Sequence, residues 1–174
     1  MKKTKKRKTI KIAPKGLTEV ILGAGIIGAI YQLLRSTKSK VNFRSIGTRP
    51  VEDLKKCILK VGNVVKNCDK FFTDSEYQVF TVSDVQRFLA MDTTDKMEYE
   101  GEKFDCDNFA FLTYAMAEVA MPGCCFGVLF AGTPQGAHAV NCFIDENNRF
   151  YIIEPQTDEI RALNSDWFVY FILI

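Results

Sequence analysis

From Val51 onward the apolar residues Val51, Leu54, Cys57, Ile58, Val61, Val64 and Val65 recur at steps of three and four. That spacing is one face of a helix with a buried stripe, and it marks where a folded core begins. After a turn-rich passage from Phe71, Ser83 stands as a capping residue before DVQRFLAM, the opening of a second short helix. Asp105 is an N-cap type of residue, and Phe109, Leu112, Met116 and Val119 follow it at helical spacing, which predicts a third helix from Cys106 to Met121. The period then changes to two. His138, Val140, Cys142 and Ile144 alternate with Ala139, Asn141 and Phe143, a half-buried strand. The DENN turn follows, then RFYIIEPQ, a strand ended by Pro155 with Phe150, Ile152 and Glu154 on one face.

These two strands are expected to pair as a hairpin. A three-residue loop, Asp145 to Asn147, sets Ile144 opposite Asn148 and His138 opposite Glu154; a two- or four-residue loop would put His138 and Glu154 on different faces. Asn147 tolerates the left-handed conformation expected at the end of such a loop.

The N-terminal pattern is of another kind. Leu17 to Leu34 is a continuous apolar stretch containing GAGIIG, so that Gly23, Gly25 and Gly28 match a dinucleotide-binding fingerprint after a short strand, Glu19 to Leu22. The acidic residue needed at the end of a second strand is missing from KVNFRSIG, and no cofactor is expected. The glycines suit close packing of a helix against another helix or lipid. With basic residues at both ends, residues 17–34 are a candidate membrane anchor, the alternative being a docked or free amphipathic helix.

Charge sharpens this division. The chain of 174 residues carries a net charge of only +2, yet seven of its first eleven residues are Lys or Arg. Residues 1–40 therefore read as a basic arm plus the apolar helix, and residues 41–174 as one domain with a single core. The arm is either solvated or a contact for an anionic partner. At 47% apolar and 25% charged residues, the composition is that of a globular protein. Six cysteines at irregular spacing, with no secretory cleavage site, fit a reducing intracellular location, membrane-associated if the anchor is used. Cys124, Cys125, His138 and Cys142 are a conceivable zinc set, but with neither a CxxC pair nor a second histidine no metal is expected.

The chemistry collects in the C-terminal half. Cys106 falls in the first turn of its helix, where free N–H groups and the helix dipole favour a thiolate, while Asp105 and Asp107 oppose it. His138, the only histidine, shares a face with Glu154, which would fix its tautomer. The set reads as nucleophile, base and orienting acid, with Asp107, Asn141 and Gln156 contacting substrate or supporting the three.

FDCDNFA resembles the Cys-x-x-Phe/Tyr-Ala nucleophile helix of the transglutaminase-like superfamily. HAVNCFID resembles its His-Ala strand, and FYIIEPQT the strand after it, with Glu154 where that family has Asp. The intervals, 32 residues from Cys106 to His138 and 16 from His138 to Glu154, also fit. The resemblance implies an α+β, papain/transglutaminase-like fold, a nucleophile helix packed on an antiparallel sheet. It further implies a cysteine peptidase, amidase or transglutaminase-like acyltransferase acting on peptide, isopeptide or amide bonds through a thioester on Cys106, with a peptide or protein substrate. Two other classes stay open: a weak or inactive peptide- or glycan-binding module of the same fold, and a membrane-tethered structural or assembly protein.

Overall fold

In the computed structural model, which describes residues 42–62 and 67–174, the alternating stretch Gly136–Ile144 lies at the middle of a six-stranded sheet. The expected basic arm, the GAGIIG segment and the apolar stretch 17–34 all lie outside the described residues. Eight strands are described: β1 (Gly47–Pro50), β2 (Asp69–Phe71), β3 (Glu76–Val79), β4 (Phe126–Thr133), β5 (Gly136–Ile144), β6 (Phe150–Glu154), β7 (Glu159–Arg161) and β8 (Phe168–Leu173). The large sheet runs β2-β8-β4-β5-β6-β7, and β1 pairs with β3 in a separate ribbon. Among the described strands, the β2–β8 pair alone is parallel.

Period-two patterning gives the sheet two apolar faces. Leu129, Ala131, Val140, Cys142, Ile144 and Ile152 join Leu54, Cys57 and Ile58 of helix α1 (Val51–Leu59) in one buried cluster. On the other face Phe126, Phe143 and Ile153 pack with helix α2 (Val82–Leu89), while Val128 and Ala139 meet Ala110 of helix α3 (Cys106–Ala120). A strand buried on both faces reads as a nearly continuous apolar run, as Phe126–Ala131 does.

The helices match their signals with informative differences. Helix α1 stops at Leu59, short of the full stripe, and Gly62 takes a left-handed φ of 109°, while Val64 and Val65 lie outside the described residues. The cap of α2 is Thr81, two residues before the expected Ser83. The Thr81 hydroxyl accepts from Asp84 N–H at 3.1 Å, and the Asp84 carboxylate accepts from Thr81 N–H at 3.0 Å. Helix α3 starts at Cys106 behind Asp105, whose N–H donates to Asn108 Oδ1 at 3.0 Å. Its buried face differs from the expected stripe: Phe109, Ala110, Thr113 and Ala117 are buried, and Val119 is exposed. Small residues turned to the sheet let the helix axis approach closely, which the larger Leu112 and Val119 would prevent.

The β5–β6 hairpin corrects the expected register. Ile144 pairs with Phe150 and Asn141 with Ile153, so the loop has five residues, Asp145 to Arg149, not three. The Asp145 carboxylate accepts from the N–H groups of Asn147 and Arg149, each at 2.8 Å, and buried Arg49 donates to the carbonyls of Asp145 (3.0 Å) and Glu146 (3.4 Å). Asn148, not Asn147, takes the left-handed conformation, at φ 63°. A slip of two residues preserves face parity, so His138 and Glu154 still share a face, but diagonally rather than directly opposite.

Candidate ligand-binding site

The slipped register explains why a glutamate serves here. Continuing it sets Glu154 opposite Val140, one step diagonal to His138. Diagonal neighbours stand about 7–8 Å apart, within reach of a long side chain. Glu154 spans the gap, and His138 Nε2 lies 2.7 Å from Glu154 Oε2. Both groups are partly covered, with side-chain exposures of 25% for His138 and 16% for Glu154. With Nε2–H donating to the carboxylate, His138 Nδ1 is left for another partner. Glu154 Oε1 is buried and has no hydrogen-bond partner among the described residues.

Trp167 forms a wall beside this pair. Its ring stands edge-on to the imidazole, with centroids 6.0 Å apart at 80°, and the Arg161 guanidinium lies 4.9 Å from the indole centroid. Arg161 is itself held by Asn164 Oδ1 at 2.6 Å and lies 3.6 Å from Glu159 Oε2. Sequence reasoning missed Trp167 and Arg161. Being the only tryptophan is the one signal the chain offers for the former, and nothing local ties it to His138.

The other expected residues distribute differently. Cys106 is half-buried and packs beside the cluster of Ala110, Val128 and Ala139. Among the described residues its sulfur makes no hydrogen bond, so the expected thiol–imidazole link is not formed. Strand alternation groups His138 with Val140 and Cys142, whereas α3 packs on the set containing Ala139 and Asn141. Asp107 flanks Cys106, and its carboxyl is raised above the ordinary range by a hydrogen bond with Asp105, then by burial and by the repulsion of that neighbour. Asn141 is fully buried and cannot contact a ligand: its Nδ2 donates to Ala110 O (2.8 Å) and Gly127 O (3.0 Å), tying α3 to the sheet. Gln156, half-buried, sits in the β6–β7 turn next to Glu154.

The other five cysteines are buried, and for three of them burial disfavours the thiolate. Burial pushes Cys125 up to about 12, Cys142 is driven up by burial and then by neighbouring Cys68, and Cys124 by burial and then Glu118. Among the described residues no group of three or more His, Cys, Asp or Glu could hold a metal ion. None of the described helices is long and apolar enough to cross a membrane. His138 Nδ1 and the flanking Gln156 amide are groups able to bond hydroxyls.

The model of the "ricin-type beta-trefoil lectin C-terminal domain" family matches residues 57–174. Comparison with curated proteins gave no match. Among solved structures, the chain is similar to that titled "PSL1a-E64 complex", at 20% identity and TM-score 0.65 over 73% of this chain and 51% of that one. It is also similar to the Polyporus squamosus lectin bound to a human-type influenza-binding epitope, Neu5Aca2-6Galb1-4GlcNAc, at 20% identity and TM-score 0.64 over 73% and 49%. The chain thus spans about half the length of each, and identity at this level speaks for a shared fold alone.

These findings correct the expected transglutaminase-like membership and the papain/transglutaminase-like fold class. Helix-on-sheet layering is shared with lectin chains, so it does not single out thiol hydrolases. The expected cysteine peptidase, amidase or acyltransferase activity and its catalytic triad of Cys106, His138 and Glu154 are overturned by the same lectin matches. The chain belongs to the ricin-type beta-trefoil lectin C-terminal domain family.

Proposed function

We propose that this domain is a non-enzymatic glycan-binding module and that His138, Glu154 and Gln156 form its recognition site. The family match over residues 57–174 is the observation that carries this reading. A glycan hydroxyl can donate to His138 Nδ1, which is left for another partner when Nε2–H donates to Glu154. Trp167 and Arg161 hold the imidazole in place, so little side-chain entropy is lost on binding. The six free cysteines suit the reducing location expected from their spacing.

Calorimetric titration of the full chain with Neu5Aca2-6Galb1-4GlcNAc and a panel of neutral glycans tests the proposal. Saturable binding is expected, weakened about tenfold by His138→Ala or Glu154→Gln, equivalent to ~1.4 kcal/mol. A parent chain that binds no glycan, together with rapid His138-dependent alkylation of Cys106, would overturn it.

A further inference from the structure

Between α2 and the β6–β7 turn lies a cleft of about 250 Å³, lined by Gln86, Leu89, Ala90, Asp158 and Ile160. Its position separates it from His138 and Glu154. Ile160 pairs with Ile153, and both join the cluster in which α2 packs on the sheet, whereas Glu154, the next residue along β6, faces the opposite side. The backbone of the turn is fixed: Thr157 N–H (3.1 Å) and Asp158 N–H (2.8 Å) both donate to Glu154 O, and Asp158 takes a left-handed φ of 59°. Three of the lining residues are apolar, Leu89 almost fully buried among them. The other two, Gln86 and Asp158, have no side-chain hydrogen bond or ion pair among the described residues.

We propose that this cleft binds the ammonium group of a primary amine: the Asp158 carboxylate takes the charge, the Gln86 side-chain carbonyl accepts a second N–H, and Leu89, Ala90 and Ile160 cover the alkyl chain. The site is independent of what the His138–Glu154 pair binds. An apolar cleft with a few polar groups is the usual form of a small-ligand site, and a volume below the roughly 300–1,000 Å³ of such pockets suits one short chain. Charge selects the ligand. A half-buried carboxylate without a partner gains most from a cation that also donates hydrogen bonds, because charge-assisted bonds are about twice as strong as neutral ones. The surroundings of Asp158 agree: burial first, then repulsion by Asp95 and Asp92, push its carboxyl up to about 6, and the opposing cation, Lys96, forms no ion pair with it among the described residues. An anion would meet the same repulsion, and a neutral alcohol would leave the charge uncompensated. A free small amine and a lysine side chain share the required chemistry.

Amide NMR titration of the full chain with n-butylammonium chloride at neutral pH, with 1-butanol as the uncharged control, tests this. Saturable shifts at Gln86, Leu89, Ala90, Asp158 and Ile160 are expected with butylammonium and none with butanol. Asp158→Asn, which tolerates the left-handed backbone, is expected to weaken binding about tenfold. Ala90→Leu, at the exposed end of α2 where φ is −61°, keeps the carboxylate but fills the cleft, and is expected to abolish saturation. N-acetyl-lysine methylamide separates the two sources: tighter binding than butylammonium assigns the cleft to a lysine of a peptide partner, and equal or weaker binding to a free amine. Shifts that spread over the whole surface without saturating, an equal response to butanol, or unchanged binding in either variant would overturn the proposal.

Discussion

Replacing Asn141 with alanine separates a structural role from a binding one. Asn141 Nδ2 makes two buried hydrogen bonds, to Ala110 O at 2.8 Å on α3 and to Gly127 O at 3.0 Å on β4. Each contributes about 1 kcal/mol net, and truncation also opens a small cavity at the helix–sheet interface, costing roughly another 1 kcal/mol. Against this, Asn141 Oδ1 is buried without a partner, and removing it recovers about 1 kcal/mol. The two carbonyls left behind are less exposed to penalty than an orphaned N–H would be, because each has a second lone pair. The balance is a loss of ~2 kcal/mol, or about 8 °C in Tm for a domain of this size. Urea denaturation followed by far-UV circular dichroism measures it, with Asn141→Leu as the control. Leucine fills the volume and removes the unpaired oxygen along with the bonds, so it should cost less than ~1 kcal/mol. An alanine variant as stable as the parent, or a leucine variant worse than the alanine one, would refute the assigned tie. Glycan affinity of the folded alanine variant should match the parent, since Asn141 does not reach the surface.

Gly127→Ala and Gly132→Ala should differ sharply in thermal unfolding. A Cβ at Gly127 would collide with the backbone carbonyl of Leu173 and stand 2.7 Å from Ile174 Cγ1, and neither can give way without breaking the β4–β8 pair, so a loss above ~3 kcal/mol is expected. At Gly132 the collision is with the Tyr170 hydroxyl, the far end of an exposed side chain that can swing aside, and the cost should stay below ~1 kcal/mol. Glu154→Asp should destabilise by about 1 kcal/mol in denaturation, because an aspartate is too short to span the diagonal to His138; an unchanged midpoint would show that the contact contributes nothing. In the native protein iodoacetamide should modify Cys106 alone, at a rate indifferent to His138→Ala, since the other five thiols are buried; mass spectrometry after a short pulse reads both.

Much of the local structure is legible in the residues. Asp105 followed by a helical period locates α3 and puts Cys106 in its first position. The period of two in β5 and β6 puts His138 and Glu154 on one face, and this survives the register slip because the slip is even. Register itself is not local. It depends on Arg49, almost a hundred residues upstream, reaching the Asp145 and Glu146 carbonyls and so holding a five-residue loop. The buried face of α3 departs from its periodicity for a related reason: the period marks Leu112 and Val119, but close contact with a sheet selects Ala110, Thr113 and Ala117. The sequence leaves Asn141 either to contact substrate or to support the site residues, and only the helix laid over β5 shows that its amide is already engaged. The motifs around Cys106 and His138 are short and describe a helix start beside a strand, an arrangement that different functions share.

The most direct test of the glycan-site account is a two-dimensional amide NMR titration of the full chain with Neu5Aca2-6Galb1-4GlcNAc. Saturable shifts centred on His138, Glu154, Gln156 and Trp167, and abolished by Glu154→Gln, are the predicted result. An absence of shifts, or shifts confined to a distant surface such as Phe168 and Tyr170 and unaffected by that substitution, would contradict it.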